Sequence, residues 1–362
     1  MKNIIKTLNQ PDKNNVYSPV SLYYALALLA NVTDGNTKKE ILDVLGLKEN
    51  ELLNKMDELY KNLNINHGKG RLMLNSSLWF NENFSINDDK AKEIADATNS
   101  AIRKGKMGTD TFDKQIHRWI NVNTNNLLKD SVENIKTTSD GILSLISTIY
   151  LKGNWAIDFE ESDTKKDTFK ISDKEDVECD FMNNFFDDDL LIGKHFKALM
   201  MYINGIATMM FVLPNEGYSL KDISSDDDLI ELLNGNIKKL KREYYHINFS
   251  VPKFDIKADT NIIEQLQLLG ISDALDMNKA DFSPVTSEKE VFVSDAKQAT
   301  RLKIDEKGIE GAGYTYLDMV CGALCLDKPE EIDFKLDRPF MFSVVNSAAP
   351  IFVGTITNPA KQ

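Results

Sequence analysis

The sequence has little cysteine, proline or glycine for a chain of 362 residues. Its three cysteines, Cys179, Cys321 and Cys325, exclude a disulfide framework. Cys321 and Cys325 lie four positions apart and are able to bridge or to bind a metal, but free thiols are the expected state. Only 9 prolines and 18 glycines argue against a disordered or linker-rich chain. A large packed core is therefore expected, since 42% of the residues are hydrophobic.

Positive charge is also scarce, with 43 Lys and Arg against 56 Asp and Glu, a formal net charge of −13. Such a chain is a poor ligand for a nucleic-acid backbone, and a neutral or cationic protein partner fits better. The basic run "KKLKRE" (238–243) is read as a solvated helix end. No uncharged apolar run approaches membrane-spanning length, so no membrane partner is expected. The N-terminus lacks an apolar signal region, which indicates either a cytoplasmic chain or one already trimmed of its signal.

Catalytic and metal motifs are missing as well. The four histidines, His67, His117, His195 and His246, form no recognisable triad or zinc pattern, and the sequence has no G-x-S-x-G elbow, P-loop or HExxH. The acidic run 187–189 is interpreted as solvated loop charge. We therefore expect no cofactor and no enzyme activity.

What the chain does have is strong periodicity. Helical spacing predicts helices over 18–47, 50–64, 86–98, 111–130, 225–243 and 260–271. Strand patterns follow at 71–81, 142–155 and 244–256, with hairpins over 198–214 and at the C-terminus. Because strands and helices do not alternate regularly, an α+β fold with extensive sheets is predicted.

One stretch, "KIDEKGIEGAGYTYLDMV" (303–320), joins two contrary signals. From Ile309 onward, alternate positions are small or apolar, which is the pattern of a strand with one buried face. Yet Gly308, Gly311 and Gly313 fall within six residues, and glycine weakens a strand. The segment therefore suits a chain that is a loop in one state and a strand in another.

A family resemblance explains this combination. "DEKGIEGAGYTY", followed by "RPFMFSVVNSAAPIFVGTITNP", resembles the reactive-centre loop and C-terminal hairpin of the serpins. The segments "VYSPVSLYYALALLANVTDGNTKKEIL", "STIYLKGNW", "MMFVLPNEG", "VPKFDI" and "AKQATRLKIDEKG" follow in the family's order. The likeness covers nearly the whole chain, and so implies one serpin domain over 1–362, with three β-sheets, about nine helices and a reactive-centre loop over about 306–332.

The resemblance implies a suicide-substrate inhibitor of serine proteases. In this mechanism the protease cuts the exposed loop and forms an acyl-enzyme, and the freed loop then inserts into the large sheet as a new strand. The inserted strand would bury Ile309 and the alternate residues Gly311, Gly313, Thr315, Leu317 and Met319. None of these is charged, so their burial leaves no unpaired ion. The native state would be a kinetic trap.

Individual residues are carried over by their place in this pattern. The hinge is assigned to Glu306, Gly308, Ile309, Glu310, Gly311, Ala312 and Gly313. Family members usually have a small Thr or Ser where Ile309 stands, so slower insertion is expected. A polar cluster beneath the large sheet is assigned to Ser18, Ser21, Ser147 and Gln298, and Trp155 marks the end of a sheet strand. Ser147 and Gln298 replace the family's usual pair and are expected to hydrogen-bond to each other.

The family's usual spacing from Glu306 places the reactive bond at Gly322–Ala323, with Cys321 and Leu324 as flanking candidates. The following segment is longer than in common members, which leaves Leu326 and Lys328 as alternatives. Small and aliphatic side chains suit elastase-like or subtilisin-like proteases, and a cysteine protease is a possible cross-class target.

The competing hypothesis is a non-inhibitory serpin that acts as a chaperone, carrier or storage protein. In either case the resemblance implies a monomer. The composition, rich in Asn, Lys and Asp and poor in Cys, resembles that of prokaryotic members. We therefore expect a secreted bacterial protein whose signal is absent here, with a cytoplasmic protein as the alternative.

Overall fold

The structure, a computed structural model, describes residues 1–67, 70–310, 329–347 and 349–361. Within these ranges the chain forms ten α-helices and two short 3-10 helices, Glu161–Asp163 and Asp273–Leu275. The α-helices are α1 (Lys2–Leu8), α2 (Pro19–Asn31), α3 (Gly35–Leu45), α4 (Glu49–Asn62), α5 (Asp88–Ala97), α6 (Asp110–Asn123), α7 (Lys129–Val132), α8 (Leu220–Ile223), α9 (Asp227–Leu233) and α10 (Ile263–Leu269). None of the helices in these ranges is both long enough and apolar enough to cross a membrane.

A seven-stranded sheet positions the residues of interest. Its strands are β2 (Ile65–His67), β3 (Gly70–Asn81), β4 (Ala101–Gly105), β5 (Leu143–Asn154), β11 (Phe254–Asn261), β12 (Lys297–Asp305) and β13 (Gly308–Ile309). The spatial order is β11-β12-β13-β5-β3-β2, with β4 paired in parallel to β3 at the outer edge. The two-residue strand β13 is antiparallel to both of its neighbours, β12 and β5.

The remaining strands form a nine-stranded network in two parts. They are β1 (Asn15–Tyr17), β6 (Lys165–Ser172), β7 (Glu175–Ile192), β8 (Phe196–Ile203), β9 (Ala207–Pro214), β10 (Lys241–Pro252), β14 (Glu331–Lys335), β15 (Phe340–Asn346) and β16 (Ala349–Ile356). The long strand β7 pairs with β6 and β10 along most of its length. β7 pairs with β8 only over its last three residues. This short pairing connects β7 and its neighbours to the other part of the network, which has the order β1-β16-β15-β9-β8. Three packed sheets result.

One continuous buried cluster takes side chains from the seven-stranded sheet, from the nine-stranded network and from α2. Phe211 lies at its centre, with ring centroids 5.5 Å from Phe249, 6.3 Å from Phe340 and 6.5 Å from Trp155. Tilted aromatic contacts at these separations stabilise a core beyond the area they bury. Trp155, at the end of β5, is therefore anchored by the same cluster that holds the second sheet.

A second, smaller cluster lies under α6. Phe112, Ile116 and Ile120 are four residues apart, so they occupy one face of the helix, and all three are buried with Trp79 of β3. Thr109 caps the helix by accepting a hydrogen bond from the backbone N–H of Phe112.

The sequence predictions hold for most elements and fail at two helices. The predicted helix over 225–243 is wrong beyond Leu233, because Gly235 adopts φ +90° and Lys241 begins β10 in register with Ile192. The basic run 238–243 is therefore a turn and a strand start. The predicted helix over 111–130 breaks after Asn123, where Asn125 and Asn126 adopt positive φ of 51° and 60°.

The interpretation of 187–189 as loop charge is also wrong, because these three aspartates lie within β7, paired with β10. Burial raises the pKa of Asp188, with the neighbouring Asp189 charge acting in the same direction. The carboxylate of Asp187 contacts the ring of His246 on the facing strand. A cross-strand partner, which the local sequence does not reveal, makes this acidic strand possible.

Candidate functional site

Two of the residues assigned to the hinge by the sequence, Gly308 and Ile309, form the strand β13. Gly308 is paired with Asp305 of β12 and with Asn154 of β5, while Ile309 is paired with Ile304 and Gly153. The Ile309 side chain is only 1% exposed. The expectation of a hinge that is wholly loop is thus wrong for these two residues, which are the first rung of a strand between β12 and β5.

Gly308 is required at its position by two independent constraints. Its φ is +143°, in the region that only glycine adopts readily. A Cβ added there would lie 2.2 Å from the carbonyl oxygen of Gly153 and 2.6 Å from the Cα of Asn154. Both contacts are with backbone, which has no rotamer to change. Glycine therefore permits the chain to enter the sheet at this point.

The geometry around β13 defines where a longer strand would lie. Among the described residues, β12 and β5 are each paired with β13 and not with each other. Because β13 is antiparallel to both, β12 and β5 run parallel, and a strand continuing from Ile309 would be antiparallel to both neighbours. The backbone N–H of Glu310 donates to the carbonyl of Lys303 at 3.4 Å, which extends the contact by one residue.

Glu306 is anchored at the base of the hinge. Its side chain is buried and accepts hydrogen bonds from Thr164 Oγ1 at 2.7 Å and from Lys253 Nζ at 2.9 Å. Burial acts to raise the pKa of Glu306, but the hydrogen bonds from Thr164 and Lys253 outweigh it and hold that pKa below its ordinary range. The ionised carboxylate therefore fixes the point at which the chain leaves β12.

Trp155 stands beside this anchor. Its indole Nε1 donates to the carbonyl of Asp305 at 2.9 Å, and Asn204 Nδ2 donates to the Trp155 carbonyl at 2.9 Å. Asn204 lies at the predicted β8–β9 turn, where Gly205 has φ +67°. One tryptophan thus ties the end of β5 to the end of β12 and to the second sheet.

The four residues assigned to the polar cluster come together, but not as expected. Gln298 on β12 accepts from the Ser18 N–H and donates to the Ser18 carbonyl, both at 3.0 Å. Ser21 Oγ lies 3.3 Å from both the carbonyl and the hydroxyl of Ser147 on β5. Ser18 Oγ also accepts from the Ser21 N–H and caps α2.

The expected hydrogen bond between Ser147 and Gln298 is therefore absent from the described part of the structure. Each residue bonds instead to the N-terminus of α2, which separates the two side chains. The start of α2 is the shared partner of β5 and β12.

Other assigned residues lie outside the described ranges. These are the hinge residues Gly311, Ala312 and Gly313, the reactive bond Gly322–Ala323, its flanking candidates Cys321 and Leu324, and the alternatives Leu326 and Lys328. Their assignments stay predictions.

Sequence reasoning missed two residues that hold Glu306, namely Thr164 and Lys253. Lys253 stands inside the quoted segment "VPKFDI", but nothing local pairs it with Glu306. Burial raises the pKa of Tyr150 to about 12, and the nearby negative charge of Glu310 adds to the effect. Tyr150 lies on β5, on the strand edge beside the hinge.

Comparison with known proteins now identifies the family. The profile described as "Serpin (serine protease inhibitor)" matches residues 2–359. The chain belongs to the serpin family. An α-1-antitrypsin-like protein, GS55-MS, of Ictidomys tridecemlineatus is 29% identical over 358 residues, covering 96% of this chain and 83% of that protein.

Solved structures show the same fold. The native-state crystal structure of the thermophilic serpin tengpin matches with a TM-score of 0.83 and 23% identity, over 99% of this chain and 92% of that one. Human thyroxine-binding globulin, complexed with thyroxine, matches with a TM-score of 0.82 and 22% identity, over 99% and 97%. The predicted α+β serpin fold is confirmed. Similar relatives come from mammals, a jellyfish and an archaeon, so the likeness does not single out a prokaryotic source.

We predict that Gln298→Ala lowers the unfolding free energy by about 1–3 kcal/mol, because it removes two hydrogen bonds and leaves the Ser18 backbone groups unpaired. Urea denaturation followed by tryptophan fluorescence measures the change. Lys297→Ala, an exposed neighbour on the same strand, is the control and should alter the midpoint little. Equal effects of the two substitutions would contradict the role given to Gln298.

We predict that Glu306 makes stability depend on acid pH. Because its pKa is lower in the folded than in the unfolded protein, its contribution is present above the ordinary glutamate pKa and is lost as the pH falls through the folded value. Lys253→Met removes one of the groups that lower this pKa, so the loss between about pH 6 and about pH 3 should become shallower. Urea midpoints across this range measure it, with the exposed Lys257→Met as control. An unchanged profile for Lys253→Met would refute the linkage.

Proposed function

We propose that this serpin is a suicide-substrate inhibitor of serine endopeptidases. The observation that carries the proposal is β13, in which Gly308 and Ile309 lie between β12 and β5 and are antiparallel to both. A loop that continues along the same path after cleavage would become a full strand of the seven-stranded sheet. Homologous proteins that match over nearly the whole chain bear the names of protease inhibitors.

The proposed reaction begins with ordinary proteolysis. The protease serine attacks the carbonyl carbon of Gly322, the Ala323 amine leaves with a proton, and an acyl ester joins the protease to Gly322. Insertion of the freed loop then competes with hydrolysis of that ester. Inhibition requires that insertion be faster than attack by water, since the ester must still be intact when the protease is displaced.

Ile309 bears on the rate of insertion. A bulky residue was expected to slow the first step, yet its side chain lies buried beside Gly153, in the described structure. Gly153, its partner on β5, has to be glycine, because a Cβ there would lie 2.5 Å from the side chain of Ile203. The first inward position is thus occupied before cleavage, which favours the inhibitory hypothesis over a pure substrate.

The target is assigned by the side chains around the proposed bond. Gly322 and Ala323 fit the shallow specificity pocket of elastase-like or subtilisin-like enzymes. We further propose that the protein is monomeric, metastable, secreted and of prokaryotic origin. Sequence composition and family resemblance support these points. A carrier role is the alternative, favoured if the loop fails to trap any protease.

The test is to incubate the protein with elastase, subtilisin and a trypsin-like protease in parallel. We expect a covalent band that survives boiling in detergent, at the mass of the protease added to that of residues 1–322, which is the 41.0 kDa of the chain less the released C-terminal peptide. Mass spectrometry of the released C-terminal peptide should begin at Ala323. Cleaved protein should also unfold at a markedly higher temperature than intact protein.

Ile309→Glu and Ile309→Thr form a matched pair. Glutamate would have to bury an unpaired carboxylate between β5 and β12, so it should leave cleavage at the same bond but reduce the complex at least about tenfold. Threonine, which is small and uncharged, should retain the complex. Cleavage without a complex in the unmodified protein, or full trapping by Ile309→Glu, would count against the proposed mechanism.

A further inference from the structure

A groove lies between α6 and the edge strand β4, away from the hinge. Two strands, β3 and β5, separate β4 from β13 in the sheet order. The groove encloses about 350 Å³. It is lined by Trp79, Arg103, Gln115, Arg118, Trp119 and Val122. The four residues from α6 occupy positions i, i+3, i+4 and i+7, so one face of the helix forms one wall.

The floor of the groove is apolar. Trp79 is buried and its Nε1 donates to Ser77 Oγ at 2.8 Å, so its polar atom is satisfied; Trp79 is one of the residues that line the groove. Trp119 is partly buried beside it, and Val122 is 71% exposed. Tryptophan is enriched where proteins bind partners, because its large rigid surface is desolvated at little entropic cost.

The rim carries two cations that have no carboxylate partner within the described part of the chain. Arg242, Arg301 and Arg338 each lie within 3.9 Å of an aspartate oxygen. Among the described residues, Arg103 and Arg118 form no such ion pair, and Arg103 donates only to the carbonyl of its neighbour Ile102, at 2.7 Å. Acidic residues outnumber basic ones in the chain, 56 to 43, so two unpaired guanidinium groups beside one groove are a specific local feature.

We propose that this groove binds an acidic segment of a partner protein. One large apolar side chain of the segment would pack on Trp79 and Trp119, and flanking carboxylates would pair with Arg103 and Arg118. The planar guanidinium group matches a carboxylate with two parallel hydrogen bonds, which favours a carboxylate ligand over a diffuse anion. The groove volume of about 350 Å³ accommodates one aromatic or leucine side chain and its neighbours.

The net charge of −13 repels an acidic segment at long range. At physiological ionic strength, charges more than about 8 Å apart are largely screened, so the local arginines decide the encounter. The proposal does not depend on protease inhibition, and its test contains no protease.

The probe is the peptide acetyl-Glu-Asp-Phe-Asp-Glu-amide, titrated into the full chain by calorimetry and by tryptophan fluorescence. We expect saturable binding that weakens with salt. Arg103→Gln with Arg118→Gln should raise Kd at least about tenfold, since charge-assisted hydrogen bonds are lost. The charge-matched control, Lys238→Gln with Lys239→Gln, should change Kd less than about twofold, as surface charges remote from the site contribute little.

Two further peptides divide the interaction. Replacing Phe by Ser should abolish the fluorescence change, and replacing the acids by their amides should abolish salt dependence and most affinity. No binding at millimolar peptide in low salt, or equal binding by the arginine variant, would overturn the proposal. So would capture of phosphatidylserine-containing vesicles, but not of the peptide, through the same two arginines, since the ligand would then be an anionic membrane.

Discussion

The contact between Gly308 and the backbone of Gly153 is the constraint on which the hinge depends. Two segments of the backbone approach each other there more closely than a Cβ at residue 308 would allow. The φ angle of Gly308 is also one that glycine adopts freely. Ile309 can enter the sheet only because the preceding residue passes this point. The anchored carboxylate of Glu306 on one side and the indole of Trp155 on the other hold the two strand ends at the separation this contact needs.

Much of the fold was predictable, because its signals are local. Ser18-Pro19 marks the start of α2 through capping and a fixed proline torsion, and the structure places the cap there. The hairpin around Asn204-Gly205 also forms as predicted, since the turn needs a positive φ. The part of β7 that pairs with β10 was missed because three aspartates interrupt its alternation, and their tolerance depends on His246 and on Arg242 across the sheet.

The four residues of the polar cluster were predicted to lie together, but the hydrogen bonds among them were not. Family resemblance brought Ser18, Ser21, Ser147 and Gln298 to one place, and the structure does the same. Which of them bond to each other depends on side-chain length and on where the helix start lies, neither of which a linear pattern contains. The same holds for Lys253, whose partner Glu306 is far away in sequence. Residue type in the sequence indicates which side chains are able to hydrogen-bond, and the distances in the folded structure determine which of them do.

The arrangement at the start of α2 has a mechanical consequence. The side-chain amide of Gln298 accepts a hydrogen bond from the backbone N–H of Ser18 and donates one to the Ser18 carbonyl. It thus pairs with Ser18, the N-cap of α2, as a peptide group of a neighbouring strand would. Ser147 is tied to the same helix turn through Ser21. At these two residues, β5 and β12 are therefore both hydrogen-bonded to the start of α2 and not to each other. Within the described residues no hydrogen bond joins Ser147 to Gln298, so a separation of β5 from β12 at this level would act on the hydrogen bonds that each strand makes to the start of α2.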